Sequence, residues 1–317
     1  MSLTSVLLLI LALLAAALLA LVLRTRALAA QAERQVPQLG EIVPVPGGAI
    51  HVVEMGPEDA PPLVLIHGLS GQLQHFTYAL AGLLAGEFRV IALDRPGCGY
   101  SRRDSDDFAS LPEQARMIGA VLDARGIGKP MLVGHSLGGA VALALALQRP
   151  GQIAALALLA PLTHPVAEPP ALFRGLLVTS PGLRRLIGHT LAVPLAHATR
   201  DRVLAEVFAP EPAPGDFLTR AGGALGFRPQ AFIAASADLI GQMRSLPAQA
   251  ARYGELQAPG GVLFGAEDPV LSPQAQGAAM QAHGLAFETL PGRGHMIPVT
   301  APEACADFIR RMAARRG

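Results

Sequence analysis

The sequence predicts an α/β fold, a mostly parallel and doubly wound sheet with an inserted helical cap. Strand-like and helix-like segments alternate between residues 63 and 160, which is typical of a parallel sheet covered by helices. Within this region a serine flanked by glycines stands where a strand pattern passes into a helix pattern, at residues 131–148. The alternation stops at Pro161 and resumes at Gly261, which indicates an insertion between two parts of one sheet.

The composition limits the classes of function. A chain of 317 residues is long enough for one large domain with a sizeable core and an insertion. The formal net charge is +1 and the body of the chain has no basic cluster, so nucleic acid is not expected as a partner. Charged residues make up only 15% of the chain, below the roughly 25% of typical soluble domains.

Much of the apolar excess lies at the N-terminus. The run from Leu3 to Leu23 contains no charged residue, and as a helix it would be about 31 Å long, enough to cross a bilayer. No Lys or Arg precedes the run, whereas Arg24, Arg26 and Arg34 follow it, which favours an anchor over a signal peptide.

We therefore predict a single-pass transmembrane anchor over residues 1–23 and a linker over residues 24–40. The positive-inside rule then places the body of the chain in the cytoplasm. Small residues at positions 27–29 leave an alternative open, in which cleavage near Ala30 releases a secreted or periplasmic protein.

The core is expected to comprise residues 41–161 and 247–317, with a helical cap over residues 162–246. Continuous apolar segments predict strands buried on both faces, and 3.6-residue spacing predicts the helices. The expected strands lie at residues 41–45, 49–54, 63–66, 88–93, 130–133, 153–159, 261–264 and 286–290, and core helices are expected over residues 74–84, 111–125 and 140–148. Repeated prolines punctuate the helical segments of the cap.

The glycine-flanked serine is the first candidate for chemistry. The pattern Gly134-His135-Ser136-Leu137-Gly138 matches Gly-x-Ser-x-Gly in the strand-to-helix setting that this pattern requires. The turn is so tight that side chains at the two flanking positions would collide, and glycine removes the collision. We predict that Ser136 is a nucleophile and that the N–H of Leu137, at a helix N-terminus, can donate to an anion.

A serine nucleophile needs a base that an acid orients. Asp268 follows the strand pattern at 261–264, and the neighbouring Glu267 is a competing candidate for the acid. His295 follows the last strand pattern in a glycine-rich loop that could fold back over the site. Because the carboxyl ends of parallel strands share one edge of the sheet, we expect these side chains to meet Ser136 there.

An oxyanion hole needs a second N–H donor in addition to that of Leu137. The loop His67-Gly68-Leu69-Ser70-Gly71 follows the strand at 63–66, and its glycines let the backbone approach a substrate closely. The N–H of Leu69 is the predicted donor. His67 and His135 are expected to be structural.

Five motifs together resemble the α/β-hydrolase superfamily over roughly residues 40–315. They are His67-Gly68 with Gly71, Asp94-Arg95-Pro96-Gly97-Cys98-Gly99-Tyr100-Ser101, Gly134-His135-Ser136-Leu137-Gly138-Gly139, Gly265-x-x-Asp268 and Gly294-His295. The resemblance implies a Ser136/Asp268/His295 triad, an oxyanion hole of Leu69 and Leu137, and a cap over the site. Haloalkane dehalogenases and epoxide hydrolases of this fold have aspartate at the position of Ser136, so their chemistry is disfavoured.

The expected function is hydrolysis of carboxylic esters, hydrophobic or lipid-derived, with no metal or organic cofactor. The order of anchor and domain looks like that of membrane-tethered monoacylglycerol-lipase-type hydrolases. Most large apolar residues of the cap are expected to pack cap helices together, although a subset facing the cleft would form an acyl pocket. Alternatives are a C–C bond hydrolase or a cofactor-free perhydrolase of the same fold, and a non-catalytic membrane-tethered binding protein. The sequence does not predict the oligomeric state.

Overall fold

A nine-stranded sheet forms the centre of the computed structural model, which describes residues 2–315. Met1 and residues 316–317, which the predicted anchor and core include, lie outside the described residues. The strands are β1 (Glu41–Val45), β2 (Gly48–Met55), β3 (Pro62–Ile66), β4 (Arg89–Leu93), β5 (Arg102–Arg103), β6 (Met131–His135), β7 (Ala155–Leu159), β8 (Gly260–Gly265) and β9 (Ala286–Leu290).

The strand order is β1-β2-β4-β3-β6-β7-β8-β9, and β5 pairs with β2. Strand β2 is antiparallel to its neighbours, and every pair from β4 to β9 is parallel. All residues of β6, β7 and β8 are buried, as expected for strands covered by helices on both faces. The predicted fold class is confirmed, and the loops after β3, β6, β8 and β9 gather at one edge of the sheet.

Ten α-helices accompany the sheet within the described residues. They are α1 (Leu3–Gln35), α2 (Gln74–Thr77), α3 (Leu80–Leu84), α4 (Leu111–Ala124), α5 (Leu137–Gln148), α6 (Pro181–Ile187), α7 (Val193–Phe208), α8 (Pro229–Ala250), α9 (Ile297–Thr300) and α10 (Pro302–Ala313). The single helix predicted at 74–84 is divided into α2 and α3, because Ala79 leaves the helical region with φ −150°. A π-helical turn, Gly188–Ala192, connects α6 to α7.

Helix α1 is longer than the predicted anchor. It continues without a break to Gln35, so most of the segment predicted as a linker over residues 24–40 is helical. The 18-residue apolar window of α1 has a mean hydropathy of 3.3 and is not buried against the protein. Among the described residues it is the one helix that is long and apolar enough to cross a membrane.

The second half of α1 packs against the cap. Leu28, Ala32 and Val36 are at most 4% exposed and belong to one apolar cluster with Val193 and Phe227 of the cap region. Because residues 28, 32 and 36 recur at helical spacing, one face of α1 is buried while the opposite face stays exposed. The C-terminal part of α1 is therefore a structural part of the body of the chain.

Helices α6, α7 and α8 lie in the insertion between β7 and β8, where the cap is predicted, and α8 extends past the predicted boundary at residue 246. A buried charge cluster joins α8 to the core. The carboxylate of Asp238 accepts hydrogen bonds from Arg95 Nη1 and from Arg103 Nη1, both at 2.6 Å. The side chains of Asp238 and Arg95 are fully buried, and that of Arg103 is 3% exposed.

Replacing Asp238 by alanine should therefore destabilise the protein strongly. The substitution leaves two guanidinium groups without their carboxylate in a dry environment, which costs about 3–5 kcal/mol of unfolding free energy. Denaturant unfolding of the detergent-solubilised protein measures this loss. The matched control is Asp104→Ala, which removes the partner of Arg102 from an exposed pair and should cost less than about 1 kcal/mol. Equal losses of unfolding free energy in the two variants would contradict a stabilising role for the buried Asp238 cluster.

Candidate active site

Ser136 occupies the bend between β6 and α5. Its backbone has φ 53° and ψ −123°, a conformation that is costly for a residue with a side chain. Hydrogen bonds hold the bend: the N–H of Ser136 donates to Leu159 O at 3.1 Å, and Ser136 O accepts from the N–H groups of Gly139 and Leu162, both at 2.9 Å. The surrounding structure therefore compensates for the strain.

The two glycines of the motif are required by close backbone contacts. A Cβ atom on Gly134 would lie 2.5 Å from Gly138 O, and a Cβ atom on Gly138 would lie 2.1 Å from Ile66 O. Because both contacts are with backbone atoms, a side chain at either position would displace the main chain. The collision predicted from the sequence has these two contacts as its physical basis.

His295 and Asp268 form a hydrogen-bonded pair. The Nδ1–H of His295 donates to Asp268 Oδ2 at 2.7 Å, and the two side chains are 5% and 0% exposed. Asp268 Oδ1 accepts from the N–H groups of Val270 and Leu271 at 2.8 and 2.9 Å. The carboxylate is thus held in one orientation toward the imidazole.

The competing carboxylate points elsewhere. Glu267 Oε2 accepts from the N–H of Arg293 at 3.1 Å, and the Glu267 N–H donates to Arg293 O, also at 3.1 Å. Glu267 is exposed and braces the loop that carries His295. Of the two candidates, only Asp268 contacts the imidazole.

Ser136 and His295 face one cavity of about 540 Å³ between the cap and the sheet. The imidazole of His295 lies beside the bend at Ser136, because its ring centroid is 4.9 Å from that of His135, and His135 Nε2 donates to His295 O at 3.0 Å. No hydrogen bond joins Ser136 to His295 among the described residues. Catalytic hydrogen bonds are often long in sites without substrate and shorten when substrate binds.

The neighbouring histidines have structural contacts. Burial and the proximity of His295 hold the pKa of His135 well below its usual value, so this ring is neutral. His67 donates from Nδ1 to Gly68 O at 2.8 Å and accepts from the N–H of Arg95 at 2.9 Å. These contacts agree with the structural roles expected for His67 and His135.

The predicted oxyanion donors are available in the structure. Neither the N–H of Leu69 nor that of Leu137 has a protein acceptor within residues 2–315. The loop that carries Leu69 lies against Ser136, since a Cβ atom on Gly68 would be 2.9 Å from Ser136 Cβ. Two amide N–H groups without another acceptor, in the turn at Ser136 and in the loop packed against it, are compatible with an oxyanion hole.

Arg95 supports this loop from behind. Its Nε donates to His67 O at 2.9 Å and its Nη2 to Gly68 O at 3.0 Å. Both carbonyls are thus bound to a buried guanidinium, which fixes the backbone of this loop. Arg95 thereby links the loop of Leu69 to Asp238 of the cap, which no local sequence pattern indicates.

Buried Asp94 and His51 form a second pair, which holds the chain on both sides of β4. Asp94 Oδ1 accepts from the N–H of Leu73 at 2.7 Å, and Oδ2 accepts from the N–H of Tyr100 at 2.8 Å and from His51 Nδ1 at 2.7 Å. Tyr100 in turn donates from its hydroxyl to Val36 O at 2.5 Å, at the end of α1. The Asp94 loop is a structural turn, as the resemblance implies.

Glu211 of the cap holds the loop of His295. Its carboxylate accepts from the N–H of Gly294 at 3.1 Å and from Thr300 Oγ1 at 3.0 Å, and it pairs with Arg293. The contact is close, because a Cβ atom on Gly294 would lie 2.0 Å from Ala209 O. Glu211 thus connects the cap to the loop of His295, a contact that no local sequence pattern indicates.

We expect Glu211→Gln to lower kcat by about ten- to a hundredfold, because a small displacement of a catalytic group is costly. The amide keeps the volume of the side chain but loses the charge that binds Arg293. Steady-state kinetics and thermal unfolding together check the prediction, with the melting temperature expected to change little. The control is Glu206→Gln, which alters an exposed pair with Arg202 on the same cap. A kcat equal to that of the control variant would show that Glu211 does not position the loop.

The cavity wall is mostly apolar and belongs largely to the cap. More of the large cap residues face the cavity than expected from the sequence, including Leu176, Ile187, Phe208, Phe217, Phe227 and Phe232. Within residues 2–315, no group of three or more His, Cys, Asp or Glu side chains has an arrangement that could hold a metal ion.

The sequence of this chain is similar to those of known proteins. Residues 63–308 match the sequence model described as the alpha/beta hydrolase family. A stretch of 130 residues is 41% identical to the dihydrolipoyllysine-residue acetyltransferase component of the acetoin cleaving system of Pseudomonas putida, covering 41% of this chain and 34% of that protein. Another is 35% identical over 130 residues to the 2-hydroxymuconate semialdehyde hydrolase of Pseudomonas putida, covering 40% and 45%. The chain thus spans less than half the length of these curated relatives.

Among solved structures, similarity extends over nearly the whole chain. The crystal structure of a membrane phospholipase A, described as a bacterial virulence factor, superimposes with a TM-score of 0.68 and 25% sequence identity. The match covers 97% of this chain and 96% of that chain, so it includes the region of α1 as well as the sheet and cap.

Proposed function

Because this chain belongs to the alpha/beta hydrolase family, we propose that it is a serine hydrolase that cleaves carboxylic esters through an acyl-enzyme on Ser136. The observation that carries the proposal is the meeting of a strained serine and an Asp268–His295 pair at one cavity. The hydrolases among its relatives support the reaction class.

In the proposed acylation step, His295 Nε2 takes the proton of the Ser136 hydroxyl while Oγ attacks the carbonyl carbon of the ester. Asp268 receives the hydrogen bond from Nδ1 and stabilises the imidazolium that forms. The imidazolium then protonates the departing alcohol. The carbonyl oxygen carries negative charge in the tetrahedral intermediate, and the N–H groups of Leu69 and Leu137 bind it.

Deacylation uses the same groups in reverse. His295, neutral again after the alcohol has left, takes a proton from water, and the hydroxide attacks the acyl carbon. The second tetrahedral intermediate occupies the same oxyanion hole. Its collapse releases the carboxylic acid and returns the proton to Ser136, so the enzyme is regenerated.

The cavity suggests the class of ester. A volume of about 540 Å³ lined mainly by leucine, isoleucine, valine and phenylalanine side chains favours a long or bulky apolar acyl group. The name of the structurally similar membrane phospholipase A points to the same class. We therefore propose a hydrophobic, lipid-derived ester as the substrate.

A series of p-nitrophenyl esters of graded acyl length tests this substrate class. We expect kcat/KM to rise with chain length up to at least about eight carbons, since each buried methylene contributes about 0.8 kcal/mol. The assay uses the full chain in detergent micelles. A preference for acetate or for charged acyl groups would contradict the proposal.

We propose that α1 is retained as a membrane anchor with the body of the chain on the cytoplasmic side. Cleavage near Ala30 would remove Thr25 and Leu28, which are 1% and 4% exposed and pack within the cap. Arg24 and Arg26 directly follow the apolar run, which favours a cytoplasmic location for the body of the chain.

The anchor makes a testable prediction about the mature chain. Mass spectrometry of protein purified from membranes should detect an N-terminus upstream of Leu3, because the tail of α1 stabilises the cap. A mature N-terminus near Ala30 would contradict the anchor and support secretion.

A further inference from the structure

The cap carries a row of exposed leucines on the helical segment from α6 to α7. Leu183, Leu186, Leu191 and Leu195 are 50%, 55%, 54% and 63% exposed. The π-helical turn at Gly188–Ala192 adds one residue between the two helices, which keeps the four side chains near one face. We call these four residues the leucine stripe.

The leucine stripe borders the proposed active site. Leu191 and Leu195 also line the cavity that contains Ser136 and His295. A side chain that both lines a cavity and is more than half exposed stands at the cavity's opening. The opening of the site is therefore apolar where Leu191 and Leu195 stand.

The contact between α1 and the π-helical turn gives the position of the leucine stripe relative to a bilayer. The hydroxyl of Thr25 donates to Thr190 O at 2.9 Å, so the π-helical turn touches α1 at the point where the charge-free run ends. Leu186 and Leu191 are within about 6 Å of Thr190 along the helix axis, at about 1.5 Å per residue. The stripe thus lies close to the level at which α1 would leave a bilayer.

Charge at this level also fits a bilayer. Arg24 and Arg26 are exposed and have no acidic partner within residues 2–315, so they are available to lipid phosphates. A second copy of this chain would have to cover the stripe while leaving room for α1 and its lipid. Continuity with α1 favours lipid as the occupant.

We propose that the leucine stripe lies in the interface of the bilayer that α1 spans, and that substrate enters the cavity from the acyl-chain region between Leu191 and Leu195. The position of the stripe rests on the proposed anchor, and the entry of substrate rests on the proposed hydrolase. Two measurements separate these dependencies.

The first measurement is fluorescence quenching in vesicles, and it requires no activity. The chain contains no tryptophan, so a single introduced tryptophan is the only indole signal. In proteoliposomes of brominated phosphatidylcholine, Leu186→Trp should lose about half or more of its emission relative to unbrominated vesicles, because bromine quenches an interfacial ring. Leu83→Trp, at a 39% exposed site on α3 of the core, should lose little.

Leu14→Trp, in the charge-free run, reports whether α1 is inserted. If Leu14→Trp is quenched while Leu186→Trp behaves like Leu83→Trp, the stripe does not lie in the bilayer and the proposal is wrong. An unquenched Leu186→Trp whose emission shifts with the protein-to-lipid ratio would assign the stripe to a second copy of the chain and would also overturn the proposal.

The second measurement tests entry of substrate. Leu183 and Leu186 are exposed and lie outside the cavity wall. The double variant Leu183→Asn/Leu186→Asn should hydrolyse a soluble short-chain ester at the wild-type rate but a long-chain ester embedded in vesicles at least about fivefold more slowly, because the cap docks less well. Equal rates on the embedded ester would contradict entry from the bilayer. If wild-type protein hydrolyses neither ester, the proposed function fails, and the quenching result still decides the position of the stripe.

Discussion

Replacing Ser136 by alanine should lower kcat for ester hydrolysis by about 10⁶-fold, the magnitude seen when a serine nucleophile of this type is removed. The variant keeps the cavity, the Asp268–His295 pair and the two free amides, so its remaining activity would come from binding and oxyanion stabilisation alone. Labelling with a fluorophosphonate probe, which reacts with an activated serine, should disappear at the same time. The substitution removes only the hydroxyl oxygen, and glycines and backbone hydrogen bonds maintain the conformation of this bend, so the fold should persist.

Ser70 offers a matched control. It lies in the loop after β3, lines the same cavity and also has a positive φ of 53°. Ser70→Ala should still label, because Ser136 and the Asp268–His295 pair are unchanged in that variant. Wild-type protein that fails to label, or Ser136→Ala protein that still labels, would favour the alternative of a non-catalytic membrane-tethered protein.

The bend at Ser136 could be predicted from the sequence, because all the residues that shape it are close together in the chain. Gly134, Ser136 and Gly138 stand within five residues, and their contacts follow from one tight turn. The neighbouring strands could be predicted equally well, since a strand buried on both faces is a continuous apolar run in the sequence. His295 followed from its place after the last strand.

The choice between Asp268 and Glu267 could not be made in the same way. Both are carboxylates that follow β8, and adjacent residues differ only in the direction that the turn gives their side chains. Hydrogen bonds from Val270 and Leu271 orient Asp268 toward His295. The carboxylate of Glu267 instead accepts from the N–H of Arg293. Neither contact has a signature in the local sequence.

The sequence contained a pattern that predicts the C-terminal part of α1, but the composition of this segment pointed to a linker instead. Arginines and a proline suggested a linker over residues 24–40, yet Leu28, Ala32 and Val36 recur at helical spacing and are all buried. In contrast, Asp238 and Glu211 act on residues far away in the chain. A carboxylate in a cap helix that neutralises arginines of the core requires the tertiary structure to be known.

Asp268→Asn should lower kcat by about 10⁴-fold, as loss of a triad acid typically does. The reason lies in the hydrogen bonds of this carboxylate. The N–H groups of Val270 and Leu271 require an oxygen at the Oδ1 position, so the amide of asparagine would turn its NH₂ group toward His295. His295 Nδ1 would then accept, the proton would move to Nε2, and the ring could no longer take the proton of Ser136. Steady-state kinetics on a p-nitrophenyl ester measures the loss.

Glu267→Gln is the control, because it makes the same chemical change one residue away. Its amide can still accept from the N–H of Arg293, so kcat should change by less than about threefold. A loss of four orders of magnitude in Glu267→Gln, with Asp268→Asn active, would assign the acid to Glu267. Comparable losses in both variants would mean that the loop after β8, and not one carboxylate, controls the position of His295. In the first case the pairing of Asp268 with His295 would have no role in catalysis beyond structure.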